Sequence, residues 1–84
     1  MLGKHTPKVK IYTTPECPVC RKAKDYFTQK GFNFEEIDVA ADRQAAQDMV
    51  SRSGQMGVPV ILVDDTVVVG YNQLKLDVAL KLKK

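Results

Sequence analysis

Histidine occurs once in the 84 residues, cysteine twice, and the longest apolar stretches, such as VPVILV at 58–63, are short. A membrane-spanning helix needs about 20 consecutive apolar residues, so none is expected here. The opening MLGKHTPKVK lacks the apolar centre of a signal peptide, and a cytoplasmic location is expected. Two cysteines cannot build a disulfide scaffold, and a Cys17–Cys20 bridge closes too small a loop to constrain the unfolded chain much. The same two thiols and the isolated His5 fall short of the four N or S ligands of a closed zinc site. No basic stripe interleaved with aromatics is present, so a nucleic-acid partner is not expected. The net charge of +3 arises mostly at the chain's two ends, from Lys4, Lys8 and Lys10 and from Lys81, Lys83 and Lys84, which read as solubilising residues. Repeats, linkers and low-complexity tracts are missing as well.

What is present describes one small soluble domain. Hydrophobic residues make up 44% of the chain and charged residues 27%, enough apolar content to fold without a partner. Residues 1–7 read as a flexible arm and 8–84 as the domain. KVKIYT alternates Val9 and Ile11 with lysines, the period-two pattern of a strand. Apolar residues then fall at Val19, Ala23, Tyr26 and Phe27, a helical stripe that starts at Cys17 or Pro18 and that Gly31 ends. FNFEEIDV reads as a second strand, and the segment from Asp42, as N-cap, to Gly54 as a second helix. PVILV and TVVV form a hairpin through Asp64 and Asp65, its first strand buried on both faces.

The tail NQLKLDVALKLKK fits either period. Leu74, Leu76, Val78, Leu80 and Leu82 alternate as in a strand, while Leu74, Val78 and Leu82 also make a helical stripe. Its length, its Ala, Leu and Lys content, and Asn72 as an N-cap favour helix. The expected order is βαβαββα, an α/β fold with a four-stranded mixed sheet and three helices.

The stretch PECPVC, residues 15–20, holds both cysteines. Such a pair serves as a redox couple, half of a metal site or a structural disulfide, and a reducing cytoplasm disfavours the last. A thiol attacks only as its thiolate, which an ordinary cysteine populates sparsely at neutral pH. Cys17 falls where the first strand gives way to the first helix, so unpaired N–H groups and the positive end of the helix dipole stabilise an anion there. Pro18 suits the first helical position. Cys20, three residues on, returns to the same helix end and can displace a mixed disulfide. Arg21, Lys22 and Lys24 add positive charge or form a solvated face, whereas Glu16 opposes ionisation, so a moderately acidic thiol is expected. A metal would need ligands from a second chain or an external thiol.

YTTPECPVC, GVPV and VVGYNQ together strongly resemble a glutaredoxin over residues 8–82, and FEEIDV and SGQMGVPV are most similar to small bacterial glutaredoxin-like proteins near the NrdH-type redoxins. The resemblance implies a thioredoxin-like fold and a dithiol-disulfide oxidoreductase with Cys17 as nucleophile and Cys20 as resolving thiol, supported by Pro18, Val19 and Arg21. It further implies a cis peptide between Val58 and Pro59, and substrate or glutathione contacts at Thr14, Val58, Pro59, Gly70, Tyr71 and Asn72.

Several positions depart from the family's glutathione pattern. Thr14 stands in place of a lysine, Val19 in place of the tyrosine between the cysteines, Met56 and Gly57 in place of a basic residue and threonine, and GYN in place of a Gly-Gly pair and its polar followers. Glutathione carries two carboxylates, and charge-assisted hydrogen bonds are its best handles. A reductase less dependent on glutathione, fed by a thioredoxin reductase, is therefore expected, as a monomer with no bound cofactor and with disulfide-containing proteins as substrates. The alternative is a module that shares an iron–sulfur cluster or zinc between two chains through the same cysteines.

Overall fold

Alternating Val9 and Ile11 do form a strand, β1 (Val9–Thr13), and the half-turn after it delivers the chain to α1 (Pro18–Lys30). Glycine sets the end of that helix. Gly31 adopts φ 82°, its N–H donates to Thr28 O, and the Phe32 N–H donates back to Phe27 O at 2.9 Å, closing the last turn. The computed structural model describes residues 7–64 and 66–80. Among them follow β2 (Glu35–Asp38), α2 (Arg43–Ser53), β3 (Val60–Val63), β4 (Thr66–Val69) and α3 (Gln73–Ala79). The expected arm over residues 1–7 lies, except for Pro7, outside the described residues, as do His5, Leu82 and the C-terminal lysines.

The strands form one sheet in the order β2-β1-β3-β4, with β1 parallel to β2 and antiparallel to β3, and with β4 antiparallel to β3. This is the mixed βαβαββα sheet expected from the sequence. β3 is buried along its whole length, also as expected. Val63 pairs with Thr66 across the hairpin turn, where Asp64 takes a left-handed φ of 55°, a conformation that aspartate tolerates better than most residues. Among the described residues no helix is long and apolar enough to cross a membrane.

The sheet carries a core on each face. On one side Ile11, Ile61, Val63 and Val68 pack with Ala23, Tyr26 and Phe27 of α1 and Leu76 and Leu80 at α3. On the other, Tyr12, Val60 and Leu62 pack with Met49 of α2, and Ile37, Val39 and Val58 close the margin.

Three expectations are corrected in detail. β2 is shorter than FNFEEIDV, because Phe32 spends its N–H on the helix closure and cannot join the ladder. In α1 the position that turns inward is Cys20 rather than Val19, which is 42% exposed. The tail is helical with Asn72 as N-cap, yet Leu76 and Leu80 supply its buried side, while Leu74 and Val78 are 77% and 76% exposed.

Two tyrosines tie helices across these cores. Tyr12 donates its hydroxyl to Asp48 of α2 at 2.6 Å, and Tyr26 of α1 donates to Asp77 of α3. Burial, and then the Asp48 carboxylate, push the Tyr12 hydroxyl from 10.0 up to about 12; burial and Asp77 raise Tyr26 in the same sense. Because the folded values lie above the unfolded one, the stabilisation is complete below pH 10.0 and fades as pH climbs towards about 12. Urea midpoints should therefore fall across that interval. A flat profile there, or phenolate absorbance appearing with an ordinary tyrosine midpoint at both rings, contradicts this account.

Candidate active site

β1 and β3 run antiparallel with Tyr12 opposite Val60, so the residues just before β3 lie at the same sheet end as the residues just after β1. A hydrogen bond from the Val39 N–H to Thr13 O at 2.9 Å carries the end of β2 to the same place. The Gly70 N–H donates to Pro59 O at 2.7 Å, which brings the β4–α3 turn there too. Thr14, Cys17, Pro18, Val58, Pro59 and Gly70 fall at this end, whereas the Tyr71 ring lies further along α1 beside Tyr26.

Cys17 has extended backbone angles, φ −129° and ψ 100°, and is the N-cap of α1, with Pro18 inside the first turn. Its sulfur accepts the Cys20 N–H at 3.1 Å, so a sulfur rather than an oxygen satisfies one of the orphan donors of the helix start. The two sulfurs are bonded, with Cα atoms 5.2 Å apart. Their surroundings differ. Cys20 is 1% exposed on the sheet side of α1, whereas Cys17 is only half-buried.

The first turn of α1 contains no acid, and a cleft of about 490 Å³ opens beside the cysteines. Thr14, Glu16, Pro18 and Arg21 line it with Cys17 and Cys20, as do Lys22, Lys24, Asp25 and Glu36. Thr14 and Arg21 thus share a surface with the sulfurs. Val19 projects outward instead.

The Val58–Pro59 peptide is cis, as the resemblance implied. Pro59 is buried and Val58 half-buried against the α2-side core, and Met56, just upstream, is 80% exposed. Gly70 turns the chain with φ 77°, a value that favours glycine. Tyr71 folds its ring against Tyr26, 6.1 Å away, rather than towards the cysteines. Asn72 uses its side-chain oxygen to accept the Lys75 N–H at 3.0 Å, capping α3.

Sequence reasoning missed Glu36. Its Oε2 accepts from Thr13 Oγ1 at 2.9 Å and from Lys24 Nζ at 2.9 Å, and the Lys24 hydrogen bond, opposed by burial and aided by Thr13, holds its carboxyl below the usual range. No local signal marks it, because Glu36 is exposed beside an equally exposed Glu35 and its partners lie 23 and 12 residues away in the chain. Among the described residues, no group of three or more His, Cys, Asp or Glu is arranged to hold a metal ion.

Comparison with known proteins agrees with this arrangement. The family profile described as Glutaredoxin matches residues 9–68. An uncharacterized glutaredoxin-like 8.6 kDa protein in the rubredoxin operon of Clostridium pasteurianum is 44% identical over 69 residues, 82% of this chain and 92% of the relative. Glutaredoxin 3 of Escherichia coli is 35% identical over 66 residues, 79% of this chain and 80% of that protein. The solved structure of Escherichia coli NrdH-redoxin, a glutaredoxin-like protein with a thioredoxin-like activity profile, superposes with a TM-score of 0.76 at 27% identity, covering 92% of this chain and 96% of that one. With a thioredoxin-like sheet, a cysteine pair at the head of its first helix and this sequence match, the chain belongs to the glutaredoxin family of thiol-disulfide oxidoreductases.

Proposed function

We propose that this protein is a dithiol disulfide reductase in which Cys17 attacks a protein disulfide or mixed disulfide and Cys20 resolves the product. The observation that carries this reading is the inequality of the two sulfurs: the more accessible one caps the helix and accepts a backbone N–H, while its partner is buried against the sheet. In the first step the Cys17 thiolate forms a bond to one substrate sulfur and expels the other as a thiolate. In the second, Cys20 gives up its proton and bonds to Cys17, and the remaining substrate sulfur leaves. The substrate gains two electrons and the cysteine pair loses them, ready for reduction from outside.

The electron source proposed is a thioredoxin reductase in preference to glutathione. Thr14 and Val19 offer no cationic or phenolic handle for the tripeptide, the Tyr71 ring is engaged with Tyr26, and the Asn72 oxygen is engaged by α3. The thioredoxin-like profile named for NrdH-redoxin points the same way. The protein is proposed to act in the cytoplasm as a monomer on protein disulfides, without a bound cofactor, nucleic acid or membrane.

An NADPH-coupled disulfide reduction assay tests the choice, one arm supplied with thioredoxin reductase and the other with glutathione and glutathione reductase. Turnover confined to the first arm is expected. Turnover confined to the second overturns the assigned donor and makes backbone contacts at Val58 sufficient for glutathione; turnover in neither overturns the reductase reading.

A further inference from the structure

The chemistry just proposed leaves one group without a partner. Cys20 must lose a proton before it can attack, yet it is 1% exposed and its backbone N–H is already directed at the Cys17 sulfur. The proton needs an acceptor and an exit on the inner side of α1.

The cleft beside the cysteines supplies both. Lys24 lies one helical turn beyond Cys20 on the same side of α1, since residues four apart stack on a helix face. It meets Glu36, which belongs to the α1 side of the sheet because it pairs with Ile11 of the core on that side. Thr13 Oγ1, buried at the end of β1, donates to the same Glu36 oxygen and fixes the carboxylate. Cys20, Lys24 and Glu36 line a common space that opens to solvent. The charged groups facing it are Glu16 from the loop before α1, Arg21, Lys22, Lys24 and Asp25 from α1, and Glu36 from β2. Of these acids, Glu36 is the one that is both clamped by an ammonium and anchored by a buried hydroxyl.

Resting on the dithiol reading, we infer that Glu36, held by Lys24 and Thr13, accepts the Cys20 proton through the solvent of the cleft during the resolving step. The Cys20 S–H bond breaks with its electron pair kept on sulfur, and that sulfur forms the bond to Cys17. The Cys17–substrate bond breaks and the substrate departs as a thiolate. The proton passes to the Glu36 carboxylate and from there to bulk water. Glu36 is a carboxylate at neutral pH with or without Lys24, whose hydrogen bond holds it further below the usual range, so the acceptor is in place under the conditions in which Cys17 is a thiolate. Once protonated, Glu36 loses its attraction to Lys24, and this returns the proton readily to solvent.

A chromogenic aromatic disulfide separates the steps, because Cys17 attack releases the first coloured thiolate and Cys20 attack the second. In stopped-flow mixing with the reduced full-length protein, Glu36→Gln should lower the ratio of second-phase to first-phase rate by at least about tenfold near neutral pH, less than the roughly 100-fold or more of a full general-base effect because water still accepts the proton. The ratio should recover at alkaline pH, where hydroxide replaces the carboxylate. Glu36→Asp should restore part of it, and Lys24→Met should move the second-phase pH profile to higher pH. An unchanged ratio in Glu36→Gln, or a lowered ratio that alkaline pH does not restore, overturns the inference while leaving the dithiol reading intact. Absence of any second phase in the unsubstituted protein overturns both.

Discussion

Replacing Cys17 with serine removes disulfide reduction down to the rate without protein, whereas Cys20→Ser leaves a protein that reacts once and stops. The asymmetry follows from the two sulfur environments. Serine at position 17 still caps α1, since its hydroxyl accepts backbone N–H groups as well as any N-cap residue, so the fold should be retained and the loss assigned to chemistry. Serine at position 20 spares the more accessible sulfur and deletes only the buried one. Such a variant should accumulate a covalent one-to-one adduct with a protein disulfide substrate, visible by mass spectrometry and released by an added small thiol. Reductase turnover surviving in the Cys17 variant would sink the assignment. Adducts forming equally through either sulfur would instead remove the division of labour between them.

Phe27→Ala produces the largest expected loss of stability. Phe27 is fully buried where α1 meets the sheet, in edge contact with Tyr26 at 5.1 Å and tilted on Phe34 at 6.2 Å. Truncating such a side chain costs about 3–5 kcal/mol in lost transfer energy and cavity formation. Domains of this size are stable by only about 5–10 kcal/mol, so the variant should melt on the order of 15–30 °C below its parent. Phe27→Leu keeps most of the volume and should lose far less. Thermal unfolding followed by circular dichroism reads both, and a Phe27→Ala melt within a few degrees of the parent contradicts the packing described here.

The parts of this fold that were legible in the sequence are those fixed by local chemistry. Gly31, Asp42 and Asn72 mark helix ends through the φ or the side-chain acceptor that each position requires, and all three stand at the ends they indicate. The β-branched run of β3 shows complete burial in its composition alone. The tail shows where this stops. Apolar residues at every second position generate two interleaved helical stripes, and spacing is silent about which one meets the sheet. The contact of Asp77 with Tyr26, fifty-one residues apart in sequence, accompanies the choice of Leu76 and Leu80. The same reason hid Glu36, whose partners Thr13 and Lys24 lie 23 and 12 residues away. Val19 and Cys20 illustrate a subtler limit: adjacent residues on a helix differ by about 100° in direction, so an error of one position in phase exchanges a core residue for a surface one.

The direction in which the chain passes through the sheet bears on how this protein can be tethered. β1 arrives from the end opposite the cysteines and finishes beside them, so Lys8, bonded to Asp64 at the hairpin, lies on the far side. α3 starts next to the Gly70 turn and meets α1 at Tyr26, eight residues and about 12 Å along that helix, so it too recedes from the sulfurs. An anchor or a fused reporter joined through either flank of the described domain is therefore attached away from the sulfurs. Immobilised on an electrode or bead through such a linker, the molecule keeps its cysteines away from the attachment point.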